Sequence, residues 1–441
     1  MGIENTPVSS IPKIVAASRA SFLTHRTQSL EFRKEQLRAL LRMISENQDD
    51  LSGAIKSDLG RPKDFEVLGC AKTCEFFINN LEALSENKKA HGLKDGDECY
   101  VRYSPLGTVL IMGTWNFPIS LVLQPLAGAI AAGNVCIVKP SEVAEASANV
   151  LTRLLTKYMD PNVVTVINGA VEETTVLLQQ RFDHIFYTGS TDVGRIVMAA
   201  AAKNLTPVTL ELGGKCPAII TENTNLVDAA QKIAVWKSSN CGQICLTVDY
   251  VLCPKHLQEK LIQTVIATWK HSFGADPKAS NAYPKIINKR QFDRLEKLLE
   301  AVKKQNTVVH GGRTDATRLF IEPTIVTGVS LSDEIMKGEI FGPILPIVPC
   351  ENIDQAINII NQQEHPLGLY LFSSDKEHSE RLLKETRSGA VVVNDIAVHY
   401  GNPSLPFGGV GNSGMGSYHG KYSIETFSHA RAVFIRPQAH L

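Results

Sequence analysis

The chain of 441 residues carries 45 Lys and Arg against 45 Asp and Glu, a zero net charge that offers neither nucleic acid nor an anionic membrane surface an electrostatic hold. Hydrophobic residues make up 44% and charged residues 20%, as in soluble globular proteins, and the length asks for two or three domains instead of one core. Nine cysteines without a C-x-x-C pair, and no signal peptide, point to free thiols in a reducing, cytoplasmic setting.

The opening Met1-Gly2-Ile3-Glu4-Asn5-Thr6 fits an N-myristoylation pattern, but a chance match is the favoured reading, and a single acyl chain anchors only weakly. Residues 11–58 read as helical, with Leu37, Leu40, Leu41, Ile44 and Leu51 on one face. Leu59-Gly60-Arg61-Pro62 stops that segment, and a further helix is expected over 64–86. Cys99 to Tyr103 alternates like a strand. Short apolar runs at 108–112, 135–138, 163–167, 184–187 and 207–210 then alternate with helical stretches at 119–131, 143–158, 170–180 and 191–203. This is the rhythm of βαβ units on a buried parallel sheet, the doubly wound, Rossmann-like architecture used for dinucleotides. A second α/β series follows, with strands at 250–253, 307–310, 344–349, 368–372 and 390–394 and helices at 255–270, 287–304, 352–363 and 375–387. No apolar run approaches the ~18–20 residues of a membrane helix.

The chemistry concentrates in Asn240-Cys241-Gly242-Gln243-Ile244-Cys245, where two thiols lie close to a glycine and two amides. Either thiol is a candidate nucleophile, and Glu211 in Leu210-Glu211-Leu212-Gly213-Gly214-Lys215 is a candidate base to activate water. A disulfide, core packing and a metal pair are the competing readings of the thiols, but no matching ligand spacing supports a metal. Asn116, in Gly113-Thr114-Trp115-Asn116-Phe117-Pro118, could present its amide to an oxyanion or simply hold a loop. Gly189-Ser190-Thr191-Asp192-Val193-Gly194 follows a strand and opens a helix whose free N–H groups suit a pyrophosphate. Lys139 and Glu142, in Val138-Lys139-Pro140-Ser141-Glu142, could hold the ribose hydroxyls of an adenosine, and together these turns suggest a dinucleotide site.

In order along residues 12 to 435, Trp115-Asn116-Phe117-Pro118, Lys139-Pro140-Ser141-Glu142, Phe186 to Thr191, Glu211 to Lys215, Gly242 to Cys245, Glu339 to Pro343 and Pro406 to Gly409 resemble the aldehyde dehydrogenase superfamily. The tail Gly411 to Lys421 resembles its class 3 branch of fatty and aromatic aldehyde enzymes. The resemblance implies Cys245 as nucleophile, Glu211 as base, Asn116 as oxyanion donor and Lys215 as a supporting residue. It also implies Lys139 and Glu142 on the adenosine ribose, and Gly189 and Ser190, with Gly194 in the same turn, on the pyrophosphate. Glu339 and Phe341 would hold the nicotinamide ribose and ring, with Trp115 also beside the cofactor. Trp115, Phe407 and Cys241 are candidates for the aldehyde pocket wall. The implied organisation is an NAD(P)-binding domain (1–96 and 107–211), a catalytic domain (212–405) and bridging segments (97–106 and 406–441) that pair two copies in a homodimer. Val248 stands where many relatives have proline. A hydrophobic C-terminal anchor, found in membrane-bound members of that branch, is not written before Leu441. A membrane role would need an anchor beyond that point or acylation at Gly2.

The expected reaction is oxidation of an aldehyde to a carboxylic acid through a Cys245 thioester, with NAD favoured because Glu142 repels a 2′-phosphate, NADP admitted because Lys139 offsets it, and no metal. Nothing basic or hydroxyl-rich is evident near the pocket candidates, so medium or long aliphatic and aromatic aldehydes are expected. A coenzyme A-acylating dehydrogenase and a non-catalytic protein on the same fold are the alternatives; an intact Glu211 disfavours the first and intact Cys245, Glu211 and Asn116 the second.

Overall fold

The computed structural model describes residues 4–62 and 65–438. Met1 to Ile3 of the acylation pattern, and residues 439–441 of the bridging tail, lie outside the described residues. A six-stranded sheet is ordered Gly414–Met415, Val208–Glu211, His184–Thr188, Thr108–Met112, Val135–Lys139, Val164–Val166. All its neighbours run parallel except Gly414–Met415, which lies antiparallel to Val208–Glu211. The chain starts in the middle at Thr108–Met112, steps outward one way, then returns to the other side at His184–Thr188. The switch point therefore falls between those two strands, and ligands of doubly wound sheets bind beyond the strand carboxyl ends there. The loops leaving these strands are Gly113–Pro118 and Gly189–Ser190.

A seven-stranded sheet follows, ordered Thr307–His310, Thr324–Thr327, Ile344–Pro349, Tyr250–Cys253, Pro217–Ile220, Gly368–Phe372, Ala390–Val393. One core runs through both sheets, because Val109 and Ile111 of the first share a buried cluster with Val251 and Leu345 of the second. A separate three-stranded sheet pairs Glu98–Pro105 with Ser428–Ile435 over eight residue pairs, Lys88–Lys89 adding to its other side. This joins the strand at 99–103 to the far end of the chain.

The stretch 11–58 divides into three helices, Ile11–Phe22, Leu30–Glu46 and Gln48–Leu59. His25 adopts a left-handed conformation (φ 62°), Ser29 caps the second helix, and Asn47 (φ −127°, ψ 30°) breaks the second helix from the third. Sequence periodicity misses the strand Pro217–Ile220 and the helix Leu226–Ser238. The strand is only four residues and opens on proline. The helix carries apolar residues on both faces, with Val227 and Val235 exposed opposite buried Ile233 and Ala234, so no amphipathic stripe stands out.

Candidate active site

The helix Leu226–Ser238 ends in three consecutive left-handed residues, Asn240 (φ 48°), Cys241 (φ 53°) and Gly242 (φ 68°). This turn delivers Cys245 to the pocket floor five residues before the strand Tyr250–Cys253. Its geometry is over-determined by amides. Asn240 Nδ2 donates to Asn116 O (3.0 Å) and Gln243 O (3.2 Å), while Gln243 Nε2 donates to Asn240 O (2.9 Å) and Lys285 O (3.1 Å). A side chain at Gly242 would collide with the backbone carbonyl of Gly342. Gly242→Ala is therefore expected to cost at least ~3 kcal/mol, since strained φ and backbone overlap add. Thermal melting and turnover measure it; a wild-type Tm with wild-type activity would refute it.

Asn116 sits on the loop that leaves the Thr108–Met112 strand. Its Nδ2 donates to Gln243 O at 3.1 Å, which leaves the amide's second N–H for another acceptor, and its Oδ1 has no partner. Two residues that sequence reasoning missed hold this loop. Arg61 pairs with Glu66, donates to Asn116 O (3.3 Å) and lies over the Phe117 ring at 4.5 Å. Glu66 Oε1 accepts from the N–H groups of Ile119 and Ser120, both at 2.8 Å, at the start of the helix Ser120–Ala132. Two charges so deeply buried only signal themselves once the fold brings them together.

Glu211 ends the Val208–Glu211 strand beside Thr188 and Gly414. It is 2% exposed and neither carboxylate oxygen has a partner. Burial holds its carboxyl well above the usual carboxylate range. Burial likewise raises the Cys245 thiol, with the Glu339 and Glu211 carboxylates adding, against a smaller pull from the N–H groups of Cys245 and Leu246. Glu339 is pushed up to about 8 by burial and then by Asp249. Lys215 pairs with Asp249 and donates to Ile335 O (3.0 Å) and Gly338 O (3.1 Å). Asp249 Oδ1 in turn accepts from Ile340 N at 3.0 Å. The loop carrying Glu339 is thus fastened on both sides. Lys237, fully buried with no partner on Nζ, is lowered to about 8 by burial and was not singled out by its sequence.

Residues suited to a dinucleotide lie along the carboxyl edge of the six-stranded sheet. Ser190 caps the helix Thr191–Ala202, leaving its first N–H groups directed past the strand end. A side chain at Gly189 would strike the Tyr187 hydroxyl, and one at Gly194 would press on Leu212, so both glycines also serve internal packing. Lys139, almost wholly buried, pairs with Glu142 at 3.0 Å. Phe341 (φ 48°) meets Trp115 edge to face at 5.3 Å.

The pocket that holds Cys245 and Glu211 has a volume of about 90 Å³ and a wall of Phe117, Leu121, Trp236, Ile244, Leu246, Leu367, Tyr400 and Phe407. Phe407 is in that wall, as the sequence suggested. Trp115 is not, its ring being turned to Phe341. Nor is Cys241. The left-handed turn points it the other way, into the core around Tyr283 and Phe292, where it is fully buried and its Sγ donates to Pro284 O at 3.0 Å. Burial raises that thiol to about 12, and its place in the core, outside the pocket lining, keeps it away from the aldehyde. Trp236 and Tyr400 carried no motif and were missed.

Residues 2–433 match the sequence profile of the aldehyde dehydrogenase family. The chain is 48% identical over 424 residues to rat aldehyde dehydrogenase family 3 member A2, covering 95% of this chain and 87% of that one. It is 45% identical over 436 residues to the dog aldehyde dehydrogenase named dimeric, NADP-preferring, covering 98% and 95%. Among solved structures, Staphylococcus aureus AldH in a substrate-bound state superposes with a TM-score of 0.95 at 39% identity, covering 98% of this chain and 95% of that one. Profile, relatives and superposition point the same way: the chain belongs to the aldehyde dehydrogenase family.

Proposed function

We propose that this NAD(P)-dependent aldehyde dehydrogenase oxidises medium or long aliphatic and aromatic aldehydes to carboxylic acids through Cys245. The observation that carries the reading is an apolar pocket with a thiol and an unpartnered carboxylate in its lining. Cys245 sulfur attacks the aldehyde carbonyl, losing its proton. The oxyanion so formed accepts hydrogen bonds from the second N–H of Asn116 and from the Cys245 backbone N–H. Bound NAD(P) would supply the acceptor for the hydride whose departure from the carbonyl carbon, as the oxyanion re-forms C=O, leaves a Cys245 thioester. In this reading the Thr191–Ala202 helix N-terminus would receive its pyrophosphate, Lys139 and Glu142 would hold the adenosine ribose, and Glu339 with Phe341 and Trp115 would hold the nicotinamide end. Glu211 then takes a proton from water, which attacks the thioester, releasing the acid and restoring the thiol.

Pairing between Lys139 and Glu142 partly neutralises the carboxylate that a 2′-phosphate would meet. Use of both cofactors is expected, and Glu142→Gln is expected to raise kcat/KM for NADP relative to NAD by ~5-fold or more, since one nearby like charge is removed. An unchanged ratio would remove Glu142 from the ribose site. The substrate range is tested by NADH absorbance with a series of aliphatic and aromatic aldehydes; activity confined to short polar aldehydes would overturn it. A homodimer is supported by the edge strand Ser428–Ile435, on which Phe434 and Ile435 are about half exposed, and by the name of the dimeric relative. Among the described residues no helix is long and apolar enough to cross a membrane.

A further inference from the structure

The strand Pro217–Ile220 lies between Tyr250–Cys253 and Gly368–Phe372 in the seven-stranded sheet, and Ala218 is level with Tyr370. Two residues earlier on each chain stand Cys216 and Gly368, so the side chains of Cys216 and Tyr370 share one face of the sheet. That face carries the segment that delivers Cys245. Cys216 Sγ donates to Cys245 O at 3.3 Å, and Tyr370 Oη donates to Leu246 O at 2.6 Å. Two successive carbonyls at the reactive cysteine are held by side chains from neighbouring strands.

Each donor is itself fixed. Cys216 Sγ accepts from Gly368 N at 3.2 Å, and Cys216 O accepts from Asp249 N at 2.8 Å. Gly368 leaves room for the Tyr370 hydroxyl, which a side chain there would strike. Both Cys216 and Tyr370 are 0% exposed. Burial holds the thiol and the phenol well above their usual ranges, so both keep their protons and go on donating as pH rises.

A trans peptide is planar, with its N–H pointing opposite to its C=O, and no peptide among the described residues is cis. Fixing Cys245 O on Cys216 therefore turns the Leu246 N–H the other way, toward the Cys245 sulfur. Fixing Leu246 O on Tyr370 turns the Thr247 N–H onto Ile244 O, at 3.0 Å. That bond in turn sets the peptide whose N–H belongs to Cys245, which also faces the sulfur. Neither the Cys245 nor the Leu246 N–H is given to a carbonyl among the described residues. We propose that Cys216 and Tyr370 are positioning residues for the reaction at Cys245: gripping the Cys245 and Leu246 carbonyls from behind, they keep both N–H groups aimed at the sulfur and at the oxyanion that forms beside it. This rests on the oxidation through Cys245 proposed above and adds two residues to that site. The aimed N–H groups favour the thiolate, against the Glu339 and Glu211 carboxylates that face it.

The test follows Cys216→Ala, Cys216→Ser and Tyr370→Phe, the last removing only a hydroxyl. Iodoacetamide alkylation of the cofactor-free protein is read at the Cys245 peptide by mass as pH is varied. In Cys216→Ala and Tyr370→Phe the midpoint of that profile is expected to move to higher pH. The rate below the midpoint is expected to fall ~2–4-fold, since the loss of thiolate is partly offset by the greater reactivity of a more basic one. With aldehyde and cofactor, kcat is expected to fall ~10-fold with KM little changed, less than when an oxyanion donor is deleted outright. Cys216→Ser keeps a donor and is expected to recover most of both effects. A profile and a kcat at wild-type values in both deletions, whatever their Tm, overturn the proposal, as does a serine variant no better than alanine at equal Tm. If Cys216→Ala does not fold, Tyr370→Phe decides, because its ring still fills the site. A wild type that alkylates at Cys245 yet forms no NADH from any aldehyde would defeat the oxidation reading itself.

Discussion

Replacing Cys245 with alanine is expected to lower aldehyde-dependent NADH formation by ~10⁴-fold or more, because the covalent route is lost and nothing else in the pocket can replace it. Cys241 cannot substitute. It is four residues away in sequence but on the far side of a left-handed turn, sealed among Tyr283, Phe292 and the Pro284 carbonyl. The alanine side chain fits where the thiol was, so cofactor binding, read by fluorescence titration, is expected to persist. Retained turnover would sink the assignment, and loss of cofactor binding would show that the variant is misfolded. Alkylation adds a second reading. Burial and the Glu339 and Glu211 carboxylates hold the Cys245 thiol up, so its reaction with iodoacetamide in the cofactor-free protein is expected to accelerate as pH rises above neutral.

Glu211→Gln separates the two halves of the reaction. Hydride transfer is expected to survive as a burst of NADH stoichiometric with sites, while steady-state turnover falls by ~10²–10⁴-fold, the usual contribution of a positioned general base. A missing burst with unchanged steady-state kinetics would assign the base elsewhere. The same substitution has a second effect of opposite sign. The folded-state carboxyl titrates well above its unfolded value, because burial without a partner penalises the charge. Between the unfolded and folded values the native state holds a proton that the unfolded state has released, so stability falls as pH rises through that window. Glutamine does not titrate. The melting temperature of Glu211→Gln is therefore expected to exceed that of wild type at pH 8 by ~1–3 °C, and by less at pH 5. A gap that shrinks with rising pH would contradict the burial argument. Glu211 is then a residue whose environment suits hydrolysis at a cost in stability, the trade often found at active sites.

Much of the fold is legible in the chain because its signals are local. Runs such as Thr108–Met112 and Val135–Lys139 are buried on both faces and read as continuous apolar strands, and the helices between such runs set the βαβ rhythm. Legibility failed where elements were short, proline-initiated or apolar all round, as in Pro217–Ile220 and Leu226–Ser238. The same division runs through the site. Cys245, Glu211 and Asn116 stand in motifs that name them. Arg61, Glu66, Trp236 and Tyr400 do not, although Arg61 and Glu66 hold the Asn116 loop and Trp236 and Tyr400 shape the pocket.

By itself the sequence determined the residue types that the chemistry needs, the order in which they occur, and two α/β series to carry them. These follow from side-chain reactivity and from backbone periodicity, both properties of short stretches. The residue types alone left two thiols open and the family resemblance pointed to Cys245; the physical reason is visible only in three dimensions, where three successive left-handed residues turn Cys241 into the core and leave Cys245 in the pocket lining. So are the unpartnered state of Glu211 and the pairing of Lys139 with Glu142, since burial and ion pairing depend on what long-range packing brings alongside.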